Sequence, residues 1–312
     1  MKELKPIKLI PVFKDYIWGG NRLVKEYNKK CDFERVAESW ELSTHKDGES
    51  VVADGNFMGF TLSEYIKSNK HNVLGSNAKP FDNFPILIKL IDAKEALSIQ
   101  VHPDDEYSLK HNSEYGKTEM WYILDCEEDS YLYYGFKKGI SKEEFRKSIE
   151  DNTLIDYLNK VKVKKGDVFF IEAGTIHAIG KGIVICEIQQ NSNTTYRVYD
   201  YDRTDKDGNK RPLHIQQAIE VTETKPAKNY ERNETILAKC KYFTVEEINV
   251  TDEVLLDITN NSFKSIIVVD GQATLSNDVY FTTIKKGDSV FIPAQDTVFK
   301  IEGRCQLILT QI

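Results

Sequence analysis

The chain has 312 residues and no run of 18 apolar ones, so no segment is long enough to be a transmembrane helix. It has no Cys-x-x-Cys pair. Its five cysteines are odd in number and widely spaced, which argues against a disulfide frame or a knotted structural zinc and for reduced, cytoplasmic thiols. The opening Met-Lys-Glu-Leu-Lys-Pro lacks the apolar core of a signal peptide, which also leads us to expect a cytoplasmic protein away from membranes. A glycine-rich phosphate loop is missing, so neither ATP nor NAD is implied. Positive charge is in deficit: 42 Lys and Arg against 49 Asp and Glu leave a net charge of −7. No basic face is available for nucleic acid, although a local cluster of cations would suffice for a small anionic substrate. A 40% hydrophobic and 11% aromatic content is enough for a sizeable core, which excludes wholesale disorder.

Most of the chain reads as strands. Short β-branched or aromatic runs occur at 86–91, 120–124, 168–171 and 183–188, punctuated by Gly, Asp and Asn. Three segments break this pattern. Thr61-Leu-Ser-Glu-Tyr-Ile starts like a capped helix, with Thr61 or Ser63 as the cap. Ser141-Lys-Glu-Glu144 is a capping box, and the apolar positions after it predict a helical insertion to about Asn159. The segment 214–221 is a further helix candidate.

In the run Leu97-Ser-Ile-Gln-Val-His-Pro103, Ser98, Gln100 and His102 alternate with Ile99 and Val101. On a strand, the three polar residues project to one face. An imidazole beside an amide oxygen on one rigid strand is half of a metal site. An internal repeat points to more of it. Val163-Lys-Lys-Gly-Asp-Val-Phe-Phe-Ile matches Ile284-Lys-Lys-Gly-Asp-Ser-Val-Phe-Ile, each a Lys-Gly-Asp turn entering an apolar strand. Two copies suggest two related β-barrel halves, as in jelly rolls and cupins. The offset between the copies carries His177 onto Val298, so only the first half is armed. A polar stretch at 222–235 predicts the boundary: residues 1–225 form a metal-binding cupin domain with the insertion at 141–159, and residues 226–312 form a second, degenerate, metal-free jelly roll.

The segment Gly166 to His177 resembles the second cupin motif, with Glu172 in place of a proline that the other copy keeps as Pro293. The first cupin motif runs His-x-His, three or four residues, then Glu. Here Gln100 replaces the first histidine, and sixteen residues, Pro103 to Thr118, precede Glu119. With those departures the chain resembles the type I mannose-6-phosphate isomerases. The resemblance rests on Ser98–Pro103, Gly116-Lys-Thr-Glu-Met120, Ala173-Gly-Thr-Ile-His-Ala178 and Tyr196-Arg197. Tyr16-Ile-Trp-Gly-Gly20, Ala37-Glu-Ser-Trp-Glu41 and Arg211-Pro-Leu-His214 add to it. It runs from about residue 10 to 250, weakens beyond, and looks most like the compact bacterial branch of the family.

The resemblance implies an aldose–ketose isomerase that interconverts mannose 6-phosphate and fructose 6-phosphate through an enediol. It also implies one zinc ion per chain, in the first barrel, held by Gln100, His102, Glu119 and His177. Ligand type alone would also admit manganese, iron, cobalt or nickel. Arg197 maps onto the family's catalytic arginine. Lys117 shares a face with Glu119 and is a candidate proton carrier or a contact to a substrate oxygen. Glu187 is a rival base, expected half-buried, or a residue that orients Arg197. Ser98 and Arg203 are the candidate phosphate contacts, with an ion pair to Asp200 or Asp202 as the other reading of Arg203 and Lys181 as a weaker candidate. His45, His71 and His111 are expected to face solvent, and His214 to cap or pack a helix. The expected partner is a small sugar phosphate, and a homo-oligomer is compatible with the sequence. Two rival functions are an iron-dependent cupin oxygenase and a non-catalytic sugar-binding cupin.

Overall fold

The computed structural model describes residues 4–70, 72–204, 207–228, 230, 232 and 235–312. His71 and part of the expected boundary (residues 229, 231, 233 and 234) lie outside them. Three large antiparallel sheets make up the molecule. The first runs Val168–Ile171, Glu119–Cys126, Ile183–Gln190, Ile86–Ala93, Glu38–Leu42, Val12–Lys14. The second runs Leu158–Lys162, Tyr131–Phe136, His177–Ile179, Ile99–Val101, Tyr196–Tyr199. The third is built on Thr244–Val250, Lys264–Asn277, Ser289–Ile292 and Thr297–Gln311. It also takes in Ile7–Ile10, whose Ile7 pairs with Phe291. The first strand of the chain is therefore given to the C-terminal sheet.

The first two sheets face each other. Their inward side chains, among them Trp121, Ile123, Leu132, Ile179 and Ile185, form one buried cluster. The other face of the first sheet packs against the third, where Ile88, Leu90, Tyr122 and Ile188 meet Ile267, Phe291 and Ile308. A sheet covered on both sides cannot alternate apolar and polar residues. That is why Ile86–Ala93 and Ile183–Gln190 are buried along their whole length and read as continuous hydrophobic runs. The outer face of the second sheet is closed by helices Lys142–Glu150, Leu154–Tyr157 and Ile215–Val221, through Ile99, Val101, Phe145, Leu154 and Ala218. Ile99 and Val101 thus point outward, and Ser98, Gln100 and His102, which alternation puts together on the opposite face, point inward.

The capping box at Ser141 forms, and Thr61 rather than Ser63 caps the earlier helix, with a box of its own. Thr61 and Ser141 each accept from the backbone N–H three residues on, and Glu64 and Glu144 reach back. The insertion is less helical than expected. It breaks into two helices, Lys142–Glu150 and Leu154–Tyr157, and Leu158–Lys162 becomes an edge strand of the second sheet. The repeat is real in three dimensions. Gly166 and Gly287 have φ of +87° and +89°, a conformation glycine adopts without steric cost. The two turns also share their hydrogen bonds. Each glycine N–H donates to a carbonyl of the neighbouring strand, Ile123 or Val268, and Asp167 and Asp288 each accept from the residue three before. Among the described residues no helix is long and apolar enough to cross a membrane, and all five cysteines are free.

Phe291 is fully buried where the first and third sheets meet, its ring 6.1 Å from Tyr65 and 5.0 Å from Phe263. Phe291→Ala should cost about 3–5 kcal/mol in urea unfolding. A loss below about 1 kcal/mol would show that these faces do not share a core.

Candidate metal centre

Strand register assembles the site. In the second sheet His177 pairs with Gln100, and Gln100 pairs with Arg197 on its other side. Directly opposed residues share a face, so these three side chains form one row pointing toward the first sheet. Glu119, the first residue of its strand, faces them from that sheet, with His102 just beyond Val101. His102, Glu119 and His177 are buried, and their ligand atoms lie within 4.8 Å of one another. Glu119 stands 3.6 Å from His102 Nε2 and 3.3 Å from His177 Nε2.

Each imidazole is oriented by a backbone carbonyl. His102 Nδ1 donates to Thr194 O at 2.9 Å and His177 Nδ1 to Thr175 O at 2.8 Å. With the proton on Nδ1, both Nε2 lone pairs point into the site. Burial keeps both rings neutral: it lowers His177 to about 4 and His102 well below its usual value, with Lys117 adding to the effect on each. A neutral imidazole is the form that binds a metal.

Glu119 tests whether a cation fits. Both its carboxylate oxygens are buried and accept no well-aligned hydrogen bond. An ionised carboxylate is costly in that position without a partner, and burial pushes its pKa up to about 8 even with Lys117 opposing. The Lys117 ammonium lies 2.6 Å from Glu119 Oε2 and 3.1 Å from His102 Nε2. It is a stand-in cation among the ligand atoms, and it shows that this space accepts positive charge. Gln100 lies at the edge. Its amide nitrogen is 3.5 Å from His177 Nε2, and its oxygen accepts from the Ser98 hydroxyl at 3.2 Å. A half-turn of the amide would present the oxygen to a cation. Two imidazoles, a carboxylate and an amide oxygen with a dication carry a net charge of about +1. The donor set therefore fits a divalent metal with room for a further ligand.

Arg197, half-buried, donates from Nε to Ser98 Oγ at 3.2 Å and from Nη1 to Pro212 O at 3.0 Å. It sits two strands from His177, roughly 10 Å between backbones. Glu187 does not orient it. That carboxylate is buried rather than half-buried. It accepts from Trp121 Nε1 at 2.8 Å and lies 3.5 Å from Lys89 and 3.9 Å from Lys117. Burial alone would raise its pKa, but the two lysines and the indole N–H hold it below the usual value. Among the described residues the Arg203 donors go to Ala96 O and to Asp200, the ion-pair reading of that residue. Arg211 binds the same Asp200.

Other expectations change. His45 is buried, 3.6 Å from both Asp47 and Glu114, because Trp40 and the loop carrying Glu114 cover it. His111 is exposed and ends a helix, Asp105–His111, that the polar sequence did not suggest. Its signal was Asp104, an N-cap accepting from Tyr107, followed by two acids in the first turn. His214 precedes its helix without capping it by its side chain. Its Nδ1 accepts instead from Arg197 N–H at 3.3 Å. Lys89 was missed, although a lysine inside Ile86-Leu-Ile-Lys-Leu-Ile is a visible anomaly. It is buried against Glu38, Glu187 and the Trp40 ring.

The sequence was compared with known proteins. The family model for the type I phosphomannose isomerase catalytic domain matches residues 7–130, and that for the mannose-6-phosphate isomerase cupin domain matches residues 233–312. The chain is 40% identical to a mannose-6-phosphate isomerase of Bacillus subtilis, over 99% of both sequences. It is 39% identical to one from Streptococcus mutans, over 94% of this chain and 93% of that one. A crystal structure of the mannose 6-phosphate isomerase from Bacillus subtilis superposes with a TM-score of 0.91 at 37% identity, covering 99% of this chain and 100% of that one.

His102→Ala and His177→Ala should each weaken divalent-metal binding by more than the roughly 10–100-fold typical of a residue that only orients a ligand. Isothermal titration of the metal-free protein measures this, and undiminished affinity in either variant would remove that residue from the centre.

Proposed function

This chain belongs to the type I mannose-6-phosphate isomerases, and on that premise we propose how its residues divide the work. The enzyme is a metal-dependent aldose–ketose isomerase that interconverts mannose 6-phosphate and fructose 6-phosphate through an enediol. That reading stands over both the oxygenase and the non-catalytic alternatives. Within the cluster of His102, Glu119 and His177, the observation that carries the reading is a fully buried carboxylate between two imidazoles held neutral, with one ammonium lying among their ligand atoms.

Gln100, His102, Glu119 and His177 would hold one zinc ion per chain, in the first barrel. When bound, the ion supplies a Lewis acid for the negative charge that builds on the substrate carbonyl oxygen. Arg197 adds a permanent cation on the same sheet face, stabilising the enediolate without being consumed as an acid. Lys117 carries the proton between C2 and C1: with its own proton first passed to Glu187, the free amine takes the C2 proton and returns it at C1. Its ammonium is among the ligand atoms and within 3.9 Å of Glu187, so a small swing of a flexible side chain reaches either the substrate or that carboxylate. Glu187, held ionised by Lys89, Lys117 and Trp121, is the alternate base. The phosphate meets Ser98 and Arg203. Arg197, Arg203 and Arg211 sit around Asp200, which gives that corner an excess of positive charge. In this reading Arg203 exchanges one contact with Asp200 for a phosphate oxygen, a group arginine can grip with two donors.

We assign residues 1–225 to the catalytic unit and 226–312 to a degenerate second barrel, with Ile7–Ile10 lent across the boundary. Free cysteines and a soluble sugar-phosphate substrate favour the cytoplasm.

A coupled assay on mannose 6-phosphate should show turnover that a chelator abolishes and zinc restores; full turnover in metal-free protein would refute the assignment. Arg197→Ala should lower kcat by about 100–1,000-fold, the usual cost of losing one group that stabilises an oxyanion. Bound metal and unfolding temperature should stay as in the parent protein. A kcat within about twofold of the parent would leave Arg197 without a catalytic role.

A further inference from the structure

The long spacer between His102 and Glu119 holds a device that the reaction alone does not explain. Asp105 opens the helix Asp105–His111, and its carboxylate turns back to four partners. Oδ1 accepts from Gly116 N–H at 2.9 Å and from Gln190 Nε2 at 2.8 Å. Oδ2 accepts from the Tyr242 hydroxyl at 2.6 Å, with the Lys241 ammonium 3.7 Å away. Gln190 passes the constraint on. Its side-chain oxygen accepts from Thr118 N–H at 2.8 Å, and its own N–H donates to Thr118 O at 3.0 Å. Lys117 N–H donates to Pro103 O at 2.9 Å. Every backbone N–H in the three residues before Glu119 is therefore tied down, two of them through Asp105. Gly116 permits the approach, since a Cβ there would lie 2.4 Å from the Asp104 carbonyl carbon.

Tyr242 comes from the other unit of the molecule. It lies in the turn between Ile236–Lys239 and Thr244–Val250 of the third sheet, closed by Cys240 N–H to Phe243 O at 2.9 Å. Its ring leans on Phe81, with centroids 6.3 Å apart. The C-terminal unit, which carries valine where the first carries His177, thus places one hydroxyl on the segment that bears Lys117 and Glu119.

We propose that Tyr242 and Asp105 are positioning residues for the metal centre: the C-terminal sheet braces Asp105, and Asp105 sets Lys117 and Glu119 through Gly116 and Gln190. This rests on Glu119 being a ligand. The second unit is on this account a working part of the active site although it contributes no ligand. Hydrogen bonds from Tyr242, Gln190 and Gly116 hold the Asp105 carboxyl below the usual range against its burial, as such a hub requires.

The test uses the full-length chain with Tyr242→Phe, Asp105→Ala and Asp105→Asn. Cobalt(II) is titrated into each metal-free protein and followed by its visible spectrum, with kcat, KM and unfolding temperature measured alongside. Tyr242→Phe and Asp105→Ala should weaken cobalt binding about tenfold, shift its spectrum and lower kcat, with KM within about twofold. Asp105→Asn keeps an oxygen for Gly116 and Gln190 and should recover most of the loss. Parent-like cobalt affinity and spectrum in Tyr242→Phe and Asp105→Ala would overturn the proposal. So would equal losses in Asn and Ala that track the unfolding temperature, since a purely structural role predicts them. Glu119→Ala separates the two readings. If it keeps cobalt affinity, the ligand assignment falls and the brace with it. If it loses affinity while the other variants keep theirs, only the brace falls.

Discussion

A buried carboxylate whose close partners are one ammonium and two neutral imidazoles governs this molecule. Glu119 lies between two imidazoles, and its oxygens have no well-aligned donor. Elsewhere in a protein such a group would be neutralised or removed, because an unpaired buried charge costs several kcal/mol. Here the surroundings are arranged so that a cation is the only satisfactory partner. Thr194 and Thr175 carbonyls turn the imidazole lone pairs inward, burial keeps the rings uncharged, and the Lys117 ammonium already lies within reach. Affinity for a metal and readiness for charge-building chemistry have the same origin. A dry site makes each electrostatic contact stronger than it would be in water.

Placing that carboxylate requires two sheets in register. One sheet supplies the row His177, Gln100, Arg197; the other supplies Glu119 and, two residues along, the row Trp121, Glu187, Lys89. The inner space is thereby divided. One region is packed with Ile123, Leu132, Ile179 and Ile185, and the other holds the polar rows. The packed region is what allows a polar cluster to be buried, since it fixes the spacing of the sheets. The third sheet covers the back of the first and reaches forward to Asp105 through the turn that carries Lys241 and Tyr242.

Much of this was legible from residue order. Alternation placed Ser98, Gln100 and His102 on one face and Ile99 and Val101 on the other; the helices that cover Ile99 and Val101 make the first face the inner one. The Lys-Gly-Asp repeat predicted two turns entering apolar strands, and the cap at Thr61 or Ser63 and the Ser141 box marked two helix starts. The misreadings have a common cause. His45 stands in a polar stretch and is buried, and Glu187 was expected half-buried and lies among two lysines and an indole. In each case the decisive neighbour is distant in sequence or is a backbone carbonyl, which no residue type announces. The helix after His102 was overlooked because its apolar face is short and its cap, Asp104, follows a proline.

By itself the sequence determined the local and periodic features: which residues share a strand face, where helices are capped, where glycine must turn, and which half carries the histidine. These depend on spacing and on backbone sterics, which act over a few residues. Only the tertiary structure decided the partnerships: Glu119 set between two imidazoles and the Lys117 ammonium, Glu187 bound to Trp121 and not to Arg197, and Asp105 joined to Tyr242 across 137 positions. Burial and long-range register set those contacts. They arise when separate strands close on one another, and that information is spread over the whole chain.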